Sequence, residues 1–206
     1  CEVARRMRGV ILLNGEPYRG TISSDGAYVI CCDGAYEWAK GRVRIDENLG
    51  DYDSLPYVPD PPPLFTYPAE KNATDGEIAL WRAIELGAKT VEIYGGGGKR
   101  EEHFLGNLHL LYSAYKQNVR ACMYTNGAHI FIGNGEIDIG NCMGKTLSII
   151  PFGGDAHIIE SRGLKYPLFD LWLRYGSTRG ISNIAVESDG GILSEGIVLV
   201  LVNEEA

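Results

Sequence analysis

The sequence predicts an α/β N-terminal domain with a mostly parallel, Rossmann-like sheet over residues 1–126, followed by a C-terminal all-β sandwich over residues 127–206. Three observations lead there. Up to Thr125, short apolar runs alternate with stretches of helical period. Beyond it, short apolar runs alternate with Gly and Asn turns. The change of texture falls at Asn126-Gly127.

Gly9 to Leu13 and Ala27 to Cys32 are unbroken apolar runs of strand length, as strands buried on both faces require. Ala35 to Lys40 predicts a short helix stopped at Gly41. Asp60-Pro61-Pro62-Pro63 is a loop, because proline cannot donate to a central ladder, and Leu64 to Tyr67 predicts a strand after it. Thr74 with Glu77 forms a capping-box pattern. Ala79, Leu80, Ala83 and Ile84 supply that helix's apolar face, and Gly87 its stop. Thr90 to Tyr94 predicts a strand that runs straight into Gly95-Gly96-Gly97-Gly98. Glu101 to Tyr115 predicts a second helix with Leu105, Leu108, Leu111, Tyr112 and Tyr115 on one side, and Val119 to Tyr124 a further strand. The strand candidates of the second domain are His129 to Ile132, Glu136 to Ile139, Thr146 to Pro151, Ala156 to Ser161, Ile184 to Ser188 and Ile197 to Val202.

The 206 residues are 45% hydrophobic with three Trp, enough for two real cores. A net charge of −8 argues against a nucleic-acid partner. It is compatible with a nucleotide, because Mg²⁺ bridges acidic side chains and phosphates. The longest aliphatic run, Ile197 to Val202, is too short to cross a bilayer. The five Cys show no Cys-x-x-Cys spacing, and Cys31 and Cys32 adjoin within an apolar run. Buried thiols fit better than a disulfide framework, which points to a reducing, cytoplasmic compartment.

Three clusters carry chemistry. Asp51 and Asp53 stand two apart, so an extended backbone puts both carboxylates on one face, an arrangement suited to a hard cation; a solvated Gly-Asp turn is the commoner origin of such a pair. Asp75 follows the Thr74 cap, where an acid is favourable without any ligand, so a functional role requires it to face a cleft. Asn72 offers a neutral oxygen nearby, and Lys71 a cation. The third cluster is the glycine run with Lys99, Arg100, Glu102, His103 and Asn107. Gly97 and Gly98 allow close backbone approach to a ligand, the following helix start favours anions, and Arg100 can grip phosphate bidentately. No Walker A spacing is present. Glu102 either completes a metal shell or complements the helix dipole, and His103 reads as a structural histidine rather than a base. All three clusters follow predicted strands, and ligands of open parallel sheets bind at the carboxyl ends of strands.

Taken in order, these motifs resemble those of the thiamine pyrophosphokinase family. Gly50-Asp51-Tyr52-Asp53-Ser54 is similar to its Gly-Asp-aromatic-Asp-Ser, Thr74-Asp75 to the end of its Asp-x-x-Thr-Asp, and Arg100 to Asn107 to its Arg-x-Asp-His-x-Leu-x-Asn. Asp33-Gly34-Ala35 upstream, with Ser148 to Pro151, Gly163 to Leu168 and Ser182-Asn183 downstream, extend the likeness over nearly the whole chain. Asn72 and Glu102 depart from it, each standing where the family has Asp.

The resemblance implies transfer of a diphosphate from ATP to the hydroxyethyl oxygen of thiamine, giving thiamine diphosphate and AMP. It implies Asp51, Asp53 and Asp75 as ligands of Mg²⁺ and Arg100 as the charge stabiliser. Glu102 is either a metal-shell member or the acceptor of the substrate's proton. Asp33, Asn72, Gly97, Gly98, Lys99, His103 and Asn107 fall around the nucleotide. It further implies a homodimer with an intersubunit active site, where Ser182 and Asn183 reach thiamine from the partner chain. Trp172 is expected in the core rather than on the substrate. Two rivals remain: a metal-dependent nucleotide-sugar transferase, resting on Asp51-x-Asp53 alone, and a non-catalytic thiamine- or nucleotide-binding homologue, resting on Asn72 and Glu102.

Overall fold

Residues 7–50, 57–63 and 72–204 are described by the computed structural model. Asp51, Asp53, Lys71 and the strand expected at Leu64 to Tyr67 lie outside the described residues. The chain divides into two units, Cys1–Asn126 and Gly127–Ala206.

In the first unit the apolar runs become β1 (Met7–Leu12), β2 (Ala27–Cys32), β4 (Ala88–Tyr94) and β5 (Arg120–Tyr124), with a short β3 (Glu47–Leu49) at the edge. They pair in the order β5-β4-β1-β2-β3, every pair parallel. Strands β1 and β2 are covered on both faces, which is why Val10 to Leu12 and Val29 to Cys32 run without polar alternation. Val10, Leu12, Val29 and Cys31 cluster with Ala35, Tyr36 and Ala39, around the short helix α1 (Tyr36–Ala39). On the other face Gly9 meets α2 (Asp75–Glu85), where an added Cβ would stand 3.2 Å from that of Ala83. Helix α2 starts as its sequence requires, with the Glu77 N–H donating to Thr74 Oγ1 at 3.2 Å. It stops at Gly87, which sits at φ +92.

Helix α3 (Glu101–Lys116) buries a face shifted from the one expected: Leu111 is buried and Leu108, Tyr112 and Tyr115 partly so, but the face centres elsewhere. Leu110, Leu111 and Ala114 are buried, while Leu105 is 59% exposed. Two contacts at the helix start set this rotation: Phe104 packs beside Gly97, and Asn107 Nδ2 donates to the Gly96 carbonyl at 2.8 Å. Strand β3 escaped the sequence reading because two of its three residues, Glu47 and Asn48, are polar yet buried. Arg82 Nε donates to both Glu47 oxygens, at 3.2 and 3.1 Å. The Tyr28 hydroxyl donates to the same carboxylate at 3.0 Å. Burial, and then that bond, push the Tyr28 hydroxyl pKa up, keeping it a donor.

The second unit is antiparallel. Its strands are β6 (Ala128–Asp138), β7 (Thr146–Pro151), β8 (Ala156–Arg162), β9 (Phe169–Leu173), β10 (Asn183–Ile184) and β11 (Gly191–Asn203). Strand β11 pairs β6 along its length, β8 through its first half and β7 through its second. The register shifts between Ser194 and Val198, a bulge opposite Gly133-Asn134-Gly135. That Gly-Asn-Gly stretch looks like a turn in sequence; in the fold it lies within one continuous strand, so His129 to Ile132 and Glu136 to Ile139 merge. The run from Ile184 to Ser188 shrinks to β10 and a single bridge, Leu164 to Ala185. Strand β9, which the sequence reading did not include, pairs with β8, and Phe169 is 78% exposed. The core of this unit gathers Ile137, Leu147, Ile149, Ile158, Leu173, Val198 and Val200. Trp172 is not in it: half-exposed, it stacks on His157 with ring centroids 4.7 Å apart. The expectation of a core Trp172 is corrected by strand alternation, which points Leu173 inward and Trp172 out.

The buried Glu47 yields a prediction. Arg82→Ala strands its carboxylate and is expected to cost about 3 kcal/mol in urea unfolding, much of it recovered by adding Glu47→Gln. A loss below about 1 kcal/mol, the scale of an exposed pair, contradicts this.

Candidate active site

The site is built where the chain leaving β1 runs against the glycine run leaving β4. Leu13 N–H donates to the Tyr94 carbonyl at 2.8 Å, Gly15 N–H to Gly95 at 2.8 Å, and Glu16 N–H to Gly97 at 2.6 Å. Two backbones this close leave no room for side chains. A Cβ on Gly95 would stand 2.3 Å from the Leu13 carbonyl oxygen, and one on Gly96 would stand 2.4 Å from Met123 Sδ. One on Gly98, at φ +80, would lie 2.6 Å from the Glu16 Cβ. Gly97 alone has ordinary surroundings, with Phe104 and Thr125 at 3.4 Å. Three of the four glycines therefore have no room for a side chain; Gly96 is one of them and lines the cleft together with Gly97.

The cleft above them, of roughly 480 Å³, lies at the carboxyl ends of β1, β2 and β4 and the starts of α2 and α3. It brings together Asp33, Asp75, Gly97, Lys99, Arg100, His103 and Asn107. Gly98, Glu102 and Asn72 are not part of its lining. Asn72 is exposed, just before the α2 cap. Asp33 starts a 3₁₀ turn at φ +44. Gly50 packs on it, since a Cβ there would stand 3.0 Å from the Asp33 Cβ. The chain thus arrives beside Asp33 immediately before Asp51.

Charge is handled differently at each cation. Arg100 Nε donates to Glu102 Oε1 at 2.6 Å, both side chains exposed. Its own backbone N–H, and then Arg100, hold the Glu102 carboxyl below the usual carboxylate range. Lys99 Nζ instead donates to a neutral oxygen, Asn14 Oδ1, at 3.0 Å. Asn14 and Thr74 also line the cleft. Sequence reading missed Asn14; its one signal was a polar residue at the carboxyl end of a buried strand, followed by glycine. Among the described residues no three or more His, Cys, Asp or Glu gather closely enough to hold a metal. Asp33 and Asp75 are the carboxylates of the cleft among the described residues.

Ser182 and Asn183 belong to the second unit. Ser182 is exposed at φ +63, its N–H donating to Ser148 Oγ at 3.1 Å. The Asn183 amide is buried and committed to the Tyr166 backbone and to its neighbour Ile184. Nδ2 donates to the Tyr166 carbonyl at 2.7 Å, and Oδ1 accepts from the Tyr166 N–H at 3.1 Å and the Ile184 N–H at 2.9 Å.

The family model "Thiamin pyrophosphokinase, catalytic domain" matches residues 21–123, and "Thiamin pyrophosphokinase, vitamin B1 binding domain" matches residues 135–195. Over 164 residues, 75% of this chain and 77% of the relative, the sequence is 36% identical to a thiamine pyrophosphokinase of Bacillus subtilis. The chain belongs to the thiamin pyrophosphokinase family. Solved structures agree. A Bacillus subtilis thiamine pyrophosphokinase superposes with a TM-score of 0.82 at 28% identity, covering 97% of this chain and all of that one. One from Geobacillus thermodenitrificans gives 0.79 at 25% identity, covering 97% and 98%. The yeast thiamin pyrophosphokinase, at 14% identity and TM-score 0.70, covers 96% of this chain and 86% of its own and shares the fold. The catalytic-domain match takes in the cleft residues from Asp33 to Asn107, and the vitamin B1 domain match takes in Ser182 and Asn183. Among the described residues no helix is long and apolar enough to cross a membrane.

The packing of the glycine run separates two neighbouring substitutions. Gly98→Ala meets both a left-handed backbone and the Glu16 side chain, and is expected to lower stability by at least about 1 kcal/mol. Gly97→Ala is expected to stay within about 0.5 kcal/mol of the parent. Equal thermal shifts for the two would contradict this account of the run.

Proposed function

We propose that this thiamin pyrophosphokinase family member transfers a diphosphate from ATP to the hydroxyethyl oxygen of thiamine in the first-unit cleft, releasing AMP. The observation that carries the reading is the meeting of two carboxylates, Asp33 and Asp75, with two cations, Lys99 and Arg100, at the carboxyl ends of parallel strands. Such a mixture suits a polyphosphate whose charge is shared between a metal and the protein. We read the first unit as a Rossmann-like nucleotide domain and the second as a β-sandwich that binds thiamine and mediates dimerisation.

The donor set fits Mg²⁺. Asp75 supplies a hard oxygen in the cleft, and Gly50, packed on Asp33, leads directly into Asp51 and Asp53. When bound, Mg²⁺ supplies neutralisation of phosphate charge. Lys99, Arg100 and the first N–H groups of α2 and α3 hold the polyphosphate. Gly97, which lines the cleft, allows phosphate to approach the backbone. Arg100 stabilises charge that builds as the bond between the β-phosphorus and the α-phosphate oxygen breaks. Glu102, whose Oε1 accepts from Arg100 Nε, either aims that guanidinium, completes the metal shell or takes the proton released by the attacking hydroxyl. His103 and Asn107 border the nucleotide, Asn107 by holding the glycine run in place.

The working form is a homodimer, with Ser182 and the turn locked by Asn183 meeting thiamine from the partner subunit, in the cytoplasm. Family membership removes the nucleotide-sugar transferase reading. The non-catalytic reading loses weight because Asn72 stands outside the cleft lining.

Asp53→Ala is expected to lower AMP release from ATP, Mg²⁺ and thiamine by about 100-fold or more with the circular dichroism spectrum unchanged; turnover like the parent's would sink the metal assignment. Glu102→Asp is expected to retain or exceed the parent's rate, since Asp stands there in the family. A collapse of about 100-fold would show that the longer side chain is required to reach Arg100.

A further inference from the structure

We propose that Asn14 is a positioning residue of the nucleotide site: it holds the Lys99 ammonium at the cleft without neutralising it. The inference rests on the reading above, that Lys99 meets the polyphosphate. Four observations carry it. The backbone of Asn14 is clamped on both sides, by the Leu13 and Gly15 N–H bonds to Tyr94 and Gly95, on the same segment that leads to Lys99. Its Oδ1 accepts from Lys99 Nζ at 3.0 Å, and the orientation is forced, because an ammonium can only donate. Among the described residues no carboxylate pairs with Lys99. Lys40 and Lys145, by contrast, pair with Glu37 and Glu204.

The fourth observation is the seat of the amide. A Cβ on Gly34 would stand 2.3 Å from Asn14 Nδ2 and 2.8 Å from its Cγ. Gly34 has no positive φ, so its glycine serves space rather than backbone conformation. The turn that presents Asp33 is thereby shaped around Asn14. A neutral oxygen fixes the direction of a flexible lysine and removes part of the entropic cost of ordering it on a ligand. A carboxylate at the same place would fix the lysine equally well and cancel the charge that the phosphate needs.

The test measures binding of a non-hydrolysable ATP analogue with Mg²⁺ by calorimetry, alongside KM for ATP and for thiamine, in the full chain. Asn14→Ala is expected to raise the analogue Kd and the ATP KM about tenfold, with the thiamine KM within about twofold and the thermal midpoint little changed. Asn14→Asp is expected to weaken the analogue further. In a Lys99→Met background, Asn14→Ala is expected to add nothing, because the residue acts through Lys99. Gly34→Ala, which pushes the amide off its seat and leaves residue 14 intact, is expected to reproduce the Asn14→Ala effect and stands in for it if that variant fails to fold. The proposal is overturned if Lys99→Met weakens the analogue while Asn14→Ala and Gly34→Ala do not. It is equally overturned if the Asn14→Ala effect keeps its full size without Lys99, or if Asn14→Asp binds as well as the parent. If Lys99→Met leaves analogue binding unchanged, the assignment of Lys99 to the polyphosphate fails, and the role of Asn14 with it.

Discussion

Three backbone hydrogen bonds, from Leu13, Gly15 and Glu16 to Tyr94, Gly95 and Gly97, hold the functional end of the first unit together. They extend the β1–β4 pairing past the strands and, by bringing the Leu13 carbonyl against the chain that leaves β4, leave no room for a side chain at Gly95. Because of them Asn14 sits beside Lys99, the glycine run bends under the cleft, and α3 starts with Arg100 at the rim. Asn107 secures the same run from the helix side. Remove these bonds and the cleft loses its floor, whatever residues line it.

Onto that floor the protein sets charge in three ways. Away from the cleft, Glu47 is buried and answered by Arg82 and Tyr28, because an unanswered buried carboxylate is costly. At the rim, Arg100 and Glu102 form an exposed pair that solvent screens and a ligand can reopen. At the cleft, the exposed Lys99 donates instead to a neutral amide oxygen, Asn14 Oδ1. In the second unit, the buried Asn183 amide ties its segment to the Tyr166 backbone, while the neighbouring Ser182 N–H donates to Ser148 Oγ.

The sequence made the first unit legible because β1 and β2 hold unbroken, buried apolar runs, and because α2 has a clear cap at Thr74 and stop at Gly87. It hid β3, whose polar Glu47 and Asn48 are partnered from elsewhere in the fold. It also misled at Gly133-Asn134-Gly135, where turn chemistry accommodates a bulge inside a strand. The rotation of α3 was illegible because contacts to Gly96 and Gly97, distant from its own periodicity, decide which leucines turn inward. In the site, the order of motifs pointed to Asp33, Asp75, Lys99 and Arg100, which one cleft now gathers. Asn14 was invisible, since a lone asparagine after a strand has no pattern and acquires meaning only through Lys99 and Gly34.

The central claim is that this cleft moves a diphosphate as one unit. Incubating the protein with thiamine, Mg²⁺ and ATP labelled at its γ-phosphate measures this directly. The account predicts label in thiamine diphosphate together with an equal amount of AMP. Labelled thiamine monophosphate with ADP, or label released as inorganic phosphate without a thiamine product, would contradict it.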